Sequence, residues 1–124
     1  MKALEKKEKD NIKFRYAVGL YKAFLKSRHT SYRQLAKEAG MEPAHMQKVS
    51  VGKLDVSLTT NISIANALGI SYTELAGYYD SVTKADEEIF ILNLEEQKKL
   101  RGKSQAKTST LNIKSKTIKK GPKR

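Results

Sequence analysis

Cysteine and tryptophan are absent from this 124-residue chain, which also has only two prolines and three phenylalanines. The missing thiols exclude a disulfide framework, thiolate metal sites and cysteine nucleophiles together. His29 and His45 are the only histidines, too few imidazoles for a metal site of the usual kind, and neither stands in a nucleophile or acid/base constellation. No glycine-rich phosphate cradle is present either. The chain therefore reads as a non-enzymatic protein with no cofactor and no metal. Long apolar runs are also missing. The longest aliphatic or aromatic run is Ile89 to Leu92, too short for a signal peptide or a membrane helix. A cytoplasmic protein with no membrane partner is the expectation. Any core must come from Leu, Ile, Val, Ala and a few Tyr, which suits one small helical bundle.

Acidic residues are missing from one end. Residues 98–124 hold 11 Lys/Arg and no Asp/Glu, whereas residues 1–97 hold 14 against 13. Nearly all of the net charge of +12 thus lies in the tail. A block of like charge resists compaction and attracts polyanions, nucleic acid above all. With its Lys, Ser, Thr, Gly and Gln, the segment 101–124 is too polar for a core and is expected to be flexible without a partner.

Ahead of the tail the patterning is helical. A charged extension, 1–10, precedes the domain expected over 11–80. From Ile12 the apolar residues Phe14, Ala17, Val18, Tyr21, Phe24 and Leu25 recur at helical spacing, predicting an amphipathic helix from about Asn11 to Ser27. Thr30 or Ser31 can cap a second helix, Tyr32 to Ala39, with Gln34 completing a capping box on Ser31. Gly40 ends it at a left-handed position, and Pro43 suits the first turn of a third helix that stops near Gly52. Ser57 caps a fourth, with Leu58, Ile62, Ala65 and Leu68 on one stripe before Gly69. The box Ser71 to Glu74 opens a fifth. Over 81–100, Glu88 to Leu94 (EIFILNL) fits either a strand alternating at Phe90, Leu92 and Leu94 or a helix reaching Leu100, and periodicity does not separate them.

The segment Tyr32 to Val51 (YRQLAKEAGMEPAHMQKVSV) carries the functional signal. Ala36 lets two steeply crossing helices approach, Gly40 makes the tight turn between them, and Leu35, Met46 and Val49 point into a shared core. Ala44, His45, Gln47 and Lys48 are left on the outer face of the second helix of the pair. That helix can lie in a major groove about 12 Å wide.

Leu35 to Gly40 (LAKEAG), Val51 to Lys53, and Ser57 to Leu75 with its Ala-Leu-Gly-Ile-Ser resemble the lambda-repressor/Cro-like, or XRE-type, helix-turn-helix proteins. The resemblance covers about residues 13–79, which hold 9 Lys/Arg against 4 Asp/Glu. It implies an all-α fold: a compact five-helix lambda-repressor-like DNA-binding domain, here followed by the flexible basic C-terminal tail. It further implies a homodimer on double-stranded DNA, with the third helix in the major groove. Carried over by position, Pro43, Ala44, His45, Gln47 and Lys48 face bases, while Ser31, Tyr32, Arg33 and Lys53 meet phosphates. Glu42 stands where this family commonly caps the third helix with Ser or Thr, and Asn61 where it commonly has an aliphatic residue. The expected function is a sequence-specific transcriptional regulator. The alternative is an antitoxin or adaptor that holds a protein partner through residues 81–100.

Overall fold

The computed structural model describes the backbone of residues 3–111 and the side chains of residues 3–100. Among the described residues there are six helices and no strand: α1 (Lys6–Lys26), α2 (Tyr32–Ala39), α3 (Pro43–Ser50), α4 (Leu58–Leu68), α5 (Tyr72–Asp80) and α6 (Lys84–Leu111). The chain divides into the units Met1–Phe90 and Ile91–Arg124. Helices α1 to α5 and the opening of α6 belong to the first.

Helix α1 starts at Lys6 rather than near Asn11, so the second half of the expected extension, Lys6 to Asp10, belongs to it. The Glu5 N–H donates to Glu8 Oε1 at 2.9 Å, and Lys6 pairs with Asp10 at 3.0 Å. The first bond satisfies an amide that the helix start otherwise leaves free, and the second is an ion pair between side chains one turn apart. Further along, α1 buries Ala17, Val18, Leu20 and Ala23, and it packs against α3 and α5. Leu25, expected on the apolar stripe, is 62% exposed. Its place falls beyond the arc that α3 and α5 cover.

Helix α4 differs from expectation in the same way. Its buried face is Ile64, Ala65 and Leu68, while Leu58 and Ile62 are 59% and 41% exposed. Asn61 stays half-buried by donating from Nδ2 to the carbonyls of Val56 at 3.3 Å and Ser57 at 3.1 Å. The amide thereby satisfies its own hydrogens and stands in for an aliphatic side chain at little cost. At α5 the expected box is present, with Glu74 N donating to Ser71 Oγ at 3.1 Å and Ser71 N to Glu74 Oε1 at 3.4 Å.

The segment left open between strand and helix is helical. Thr83 and Asp86 cap α6 reciprocally: Asp86 N donates to Thr83 Oγ1 at 3.1 Å, and Thr83 N donates to Asp86 Oδ2 at 2.9 Å. Lys22 of α1 pairs with the same carboxylate at 2.9 Å. One turn on, Phe90 is 2% exposed, edge-on to Phe14 and Tyr21 with centroids 5.7 and 5.6 Å away. Those rings are two turns apart on α1, so a single aromatic from α6 fills the gap between them. Leu92 is 65% exposed, against the alternation a half-buried strand requires. Helix α6 continues to Leu111, into the stretch expected to be flexible; the remainder of the basic tail lies outside the described residues. Among the described residues, no helix is long and apolar enough to cross a membrane.

Candidate nucleic-acid interface

Two short helices and the turn between them build the candidate surface. Ser31 caps α2 by accepting from Gln34 N at 3.1 Å. The Gln34 side chain reaches past the cap, and its Oε1 accepts from Thr30 N at 2.9 Å. The reciprocal bond expected at Ser31 is thus made one residue earlier. At the other end Gly40 has φ of 70° and Met41 N donates to the Ala36 carbonyl at 2.8 Å, which stops the helix and reverses the chain. Leu35, Ala36, Met46 and Val49 are all 0% exposed. With only a methyl at Ala36, α2 and α3 pack closely.

That packing decides which side of α3 remains outside. Pro43, Ala44, His45, Gln47 and Lys48 are all exposed. Glu42 makes no side-chain cap, so α3 begins on the fixed φ of Pro43 and the bond from Met46 N to the Glu42 carbonyl at 3.1 Å. Its end is held by Ser50 Oγ, which donates to the Gln47 carbonyl at 2.8 Å, and by Lys53 N, which donates to the Lys48 carbonyl at 2.9 Å. Gly52 between them has φ of 80°, and a Cβ there would lie 3.1 Å from Phe14 Cα. Both the left-handed backbone and the close approach to α1 require glycine. Lys53 follows, exposed at the end of the same turn.

The start of α2 divides its three expected phosphate contacts. Ser31 and Arg33 are exposed, but the Tyr32 ring stacks on Phe24 with centroids 4.4 Å apart. Its hydroxyl is buried, without a hydrogen-bond partner among the described residues. Burial also raises the Tyr32 phenol well above its ordinary range, as it does that of Tyr16. The Tyr32 side chain is therefore a packing element. Its setting differs from that of Ser31 and Arg33 because Phe24 takes the ring inward.

Two features of this region escaped the sequence reading. Lys37 is exposed four residues after Arg33 and so shares its face of α2, a spacing that was legible. His29, by contrast, is buried and contacts Glu38 at 2.9 Å across the α1–α2 connection. No local signal announces that pair. Arg33, Lys37, Lys48 and Lys53 take part in none of the ion pairs among the described residues. A basic set is thus available to an outside anion.

No protein-family model matches the chain, and no curated protein matches it.

Proposed function

We propose that this protein is a sequence-specific DNA-binding regulator of the lambda-repressor/Cro-like type, using α2 and α3 as a helix-turn-helix. The observation that carries the reading is the division of α3. Met46 and Val49 are 0% exposed, while Pro43, Ala44, His45, Gln47 and Lys48 form a continuous outer face. A helix seated this way presents its N-terminal half to base edges. Lys48 has the reach and charge for guanine O6 or N7, and the Ala44 methyl suits a thymine methyl. The amides at the start of α2, together with Arg33 and Lys53, supply phosphate contacts, which orient a protein without reading sequence. The basic segment 98–124 adds affinity through counterion release.

The experiment is selection from a randomised double-stranded oligonucleotide pool at two salt concentrations. Enrichment of one motif, with retention that falls steeply with salt, is the expected result. Uniform weak retention would instead favour an adaptor. That second reading has one observation behind it: Ile89, Ile91 and Leu92 on α6 are 59%, 41% and 65% exposed, and adjacent exposed apolar side chains commonly mark a protein contact. A homodimer on DNA would use such a contact equally well.

A further inference from the structure

Charge changes sign at the middle of α6. Residues 84–97 hold one Lys against five Asp/Glu, whereas residues 98–111 hold five Lys/Arg against none. The reversal falls between Gln97 and Lys98, with half of the 28 residues of the helix on either side. A helix dipole favours acidic residues in the first turn and basic ones in the last, and its influence fades within that turn. It accounts for Asp86 and Glu87. It does not account for Glu95, Glu96, Lys98 and Lys99, which stand about three turns from either end. All four are exposed and take part in none of the ion pairs among the described residues.

One exposed row crosses the reversal. Ile89, Leu92, Glu96 and Lys99 follow one another at three, four and three residues, the spacing of a seam between paired helices. Ile89 and Leu92 are 59% and 65% exposed, and Glu96 and Lys99 are exposed as well. The row is thus apolar before the reversal and oppositely charged across it.

We propose that α6 pairs antiparallel with α6 of a second copy of this chain, centred between Gln97 and Lys98. A two-fold contact uses the same patch on both copies, so the patch must complement itself. Antiparallel helices centred there lay each acidic half beside the basic half of the other. Glu96 and Lys99 lie equally far from the centre, so Glu96 of one copy meets Lys99 of the other, twice in each pair. A parallel pair would set acid against acid and base against base. The two-signed helix therefore selects a second copy of itself as its occupant. Ile89 and Leu92 supply apolar contact beside the charged centre, and the charges fix register and orientation at some cost in stability. The pairing needs no DNA, so it goes beyond the DNA reading and gives the homodimer an orientation.

Sedimentation equilibrium of the full chain without DNA is the test. A dimer that forms with rising protein concentration and weakens with added salt is expected. Glu96→Lys and Lys99→Glu should each lose that dimer at concentrations where the native chain pairs, because each brings like charges together at both symmetry-related contacts. An equimolar mixture of the two variants should recover a dimer holding one copy of each, and a chain carrying both substitutions should again pair with itself. Circular dichroism checks that each variant keeps its helix. Where a single variant loses helix, recovery in the mixture decides. A native chain that stays monomeric overturns the proposal, as does a mixture that stays monomeric. Folded single variants that pair as the native chain does also overturn it, since a parallel pair or a contact elsewhere would behave that way. Selection of DNA is measured separately: a dimer without an enriched motif retires the DNA reading and leaves the pairing standing, and an enriched motif from a monomer does the reverse.

Discussion

A Cβ added at Gly19 would lie 3.0 Å from Tyr79 Cα, so α1 and α5 meet there backbone to backbone. Arg15, one turn earlier, fastens the same contact. Its Nε donates to the Tyr79 carbonyl at 2.8 Å, its Nη2 donates to the Asp80 carbonyl at 2.9 Å, and its guanidinium lies 5.3 Å from the centre of the Tyr79 ring. The guanidinium thereby satisfies carbonyls that the end of α5 leaves free.

Gly19→Ala is expected to destabilise the fold by about 1–3 kcal/mol, because the neighbouring atoms are backbone and cannot rotate away. Gly77, inside α5 with nothing within 4 Å of an added Cβ, is the contrast. Gly77→Ala should stabilise by about 0.4–1 kcal/mol, chiefly by restricting the unfolded chain. Urea unfolding of both variants checks the pair. Equal shifts would mean that the α1–α5 approach is not tight at Gly19.

Acid should weaken the junction between α1 and α6. Asp86 is held below its ordinary value of 3.8, first by the Thr83 backbone hydrogen bond and then by Lys22. A lowered carboxylate contributes stability above its unfolded value and loses it as pH falls through the folded one. The loss therefore begins near 3.8 and grows below it. Unfolding measured as a function of pH should show Asp86→Asn less stable at neutral pH and less acid-sensitive than the native chain. Parallel curves would rule out this carboxylate as a source of the acid response.

Tyr32→Phe removes a buried hydroxyl with no partner among the described residues and keeps the stack on Phe24. Stability should rise by about 1 kcal/mol, the usual scale for relieving an unpaired polar group. Retention of DNA should not change. Reduced retention in a fully folded Tyr32→Phe would return the hydroxyl to the phosphate-contacting set.

On α3 and its flanks, sequence preference and general affinity should separate. Lys48→Ala is expected to cost about 1–3 kcal/mol at one base position and relax the choice there, and Ala44→Gln to alter a neighbouring position. Arg33→Ala and Lys53→Ala should weaken all sequences alike and reduce the salt dependence. Selection with each folded variant tests the assignment. A motif rewritten by Arg33→Ala but untouched at Lys48 and Ala44 would reverse the orientation of α3.

Two copies on one operator are expected, because a single short helix reads only a few base pairs and a second half-site about 34 Å away supplies the remainder. Ile89 and Leu92, exposed apolar residues three apart on α6, are the candidate contact; Phe90 is not, since the core holds it. Ile89→Lys with Leu92→Lys should lower the stoichiometry seen by sedimentation. One protein per operator in the native chain at saturation would end the dimer proposal.

Helix starts and stops were legible in the sequence because they are local. Ser31, Ser57 and Ser71 each accept from an amide three residues on, and Gly40 and Gly69 adopt φ of 70° and 79°. The outer face of α3 was legible for a related reason. Once Met46 and Val49 point inward, helical geometry leaves Ala44, Gln47 and Lys48 outside. The apolar patterns of α1 and α4 were legible only in part, since hydrophobicity marks which residues can be buried and not which arc a neighbouring helix covers. Leu25, Leu58 and Ile62 fell outside those arcs.

By itself, then, the sequence determined the helices α2 to α5, the serine caps of α2, α4 and α5, and the outer face of α3, all of which depend on residues within a turn or two of one another. Tertiary structure alone decided the helical state of Glu88 to Leu94, the inward turn of the Tyr32 ring, and the burial of His29 against Glu38. In each case the deciding partner lies on another element or across a connection: Phe14 and Tyr21 for Phe90, Phe24 for Tyr32, and Glu38 for His29. Contacts of that kind carry no periodic signature, because they form only when already-made helices pack and their unpaired side chains compete for the remaining space.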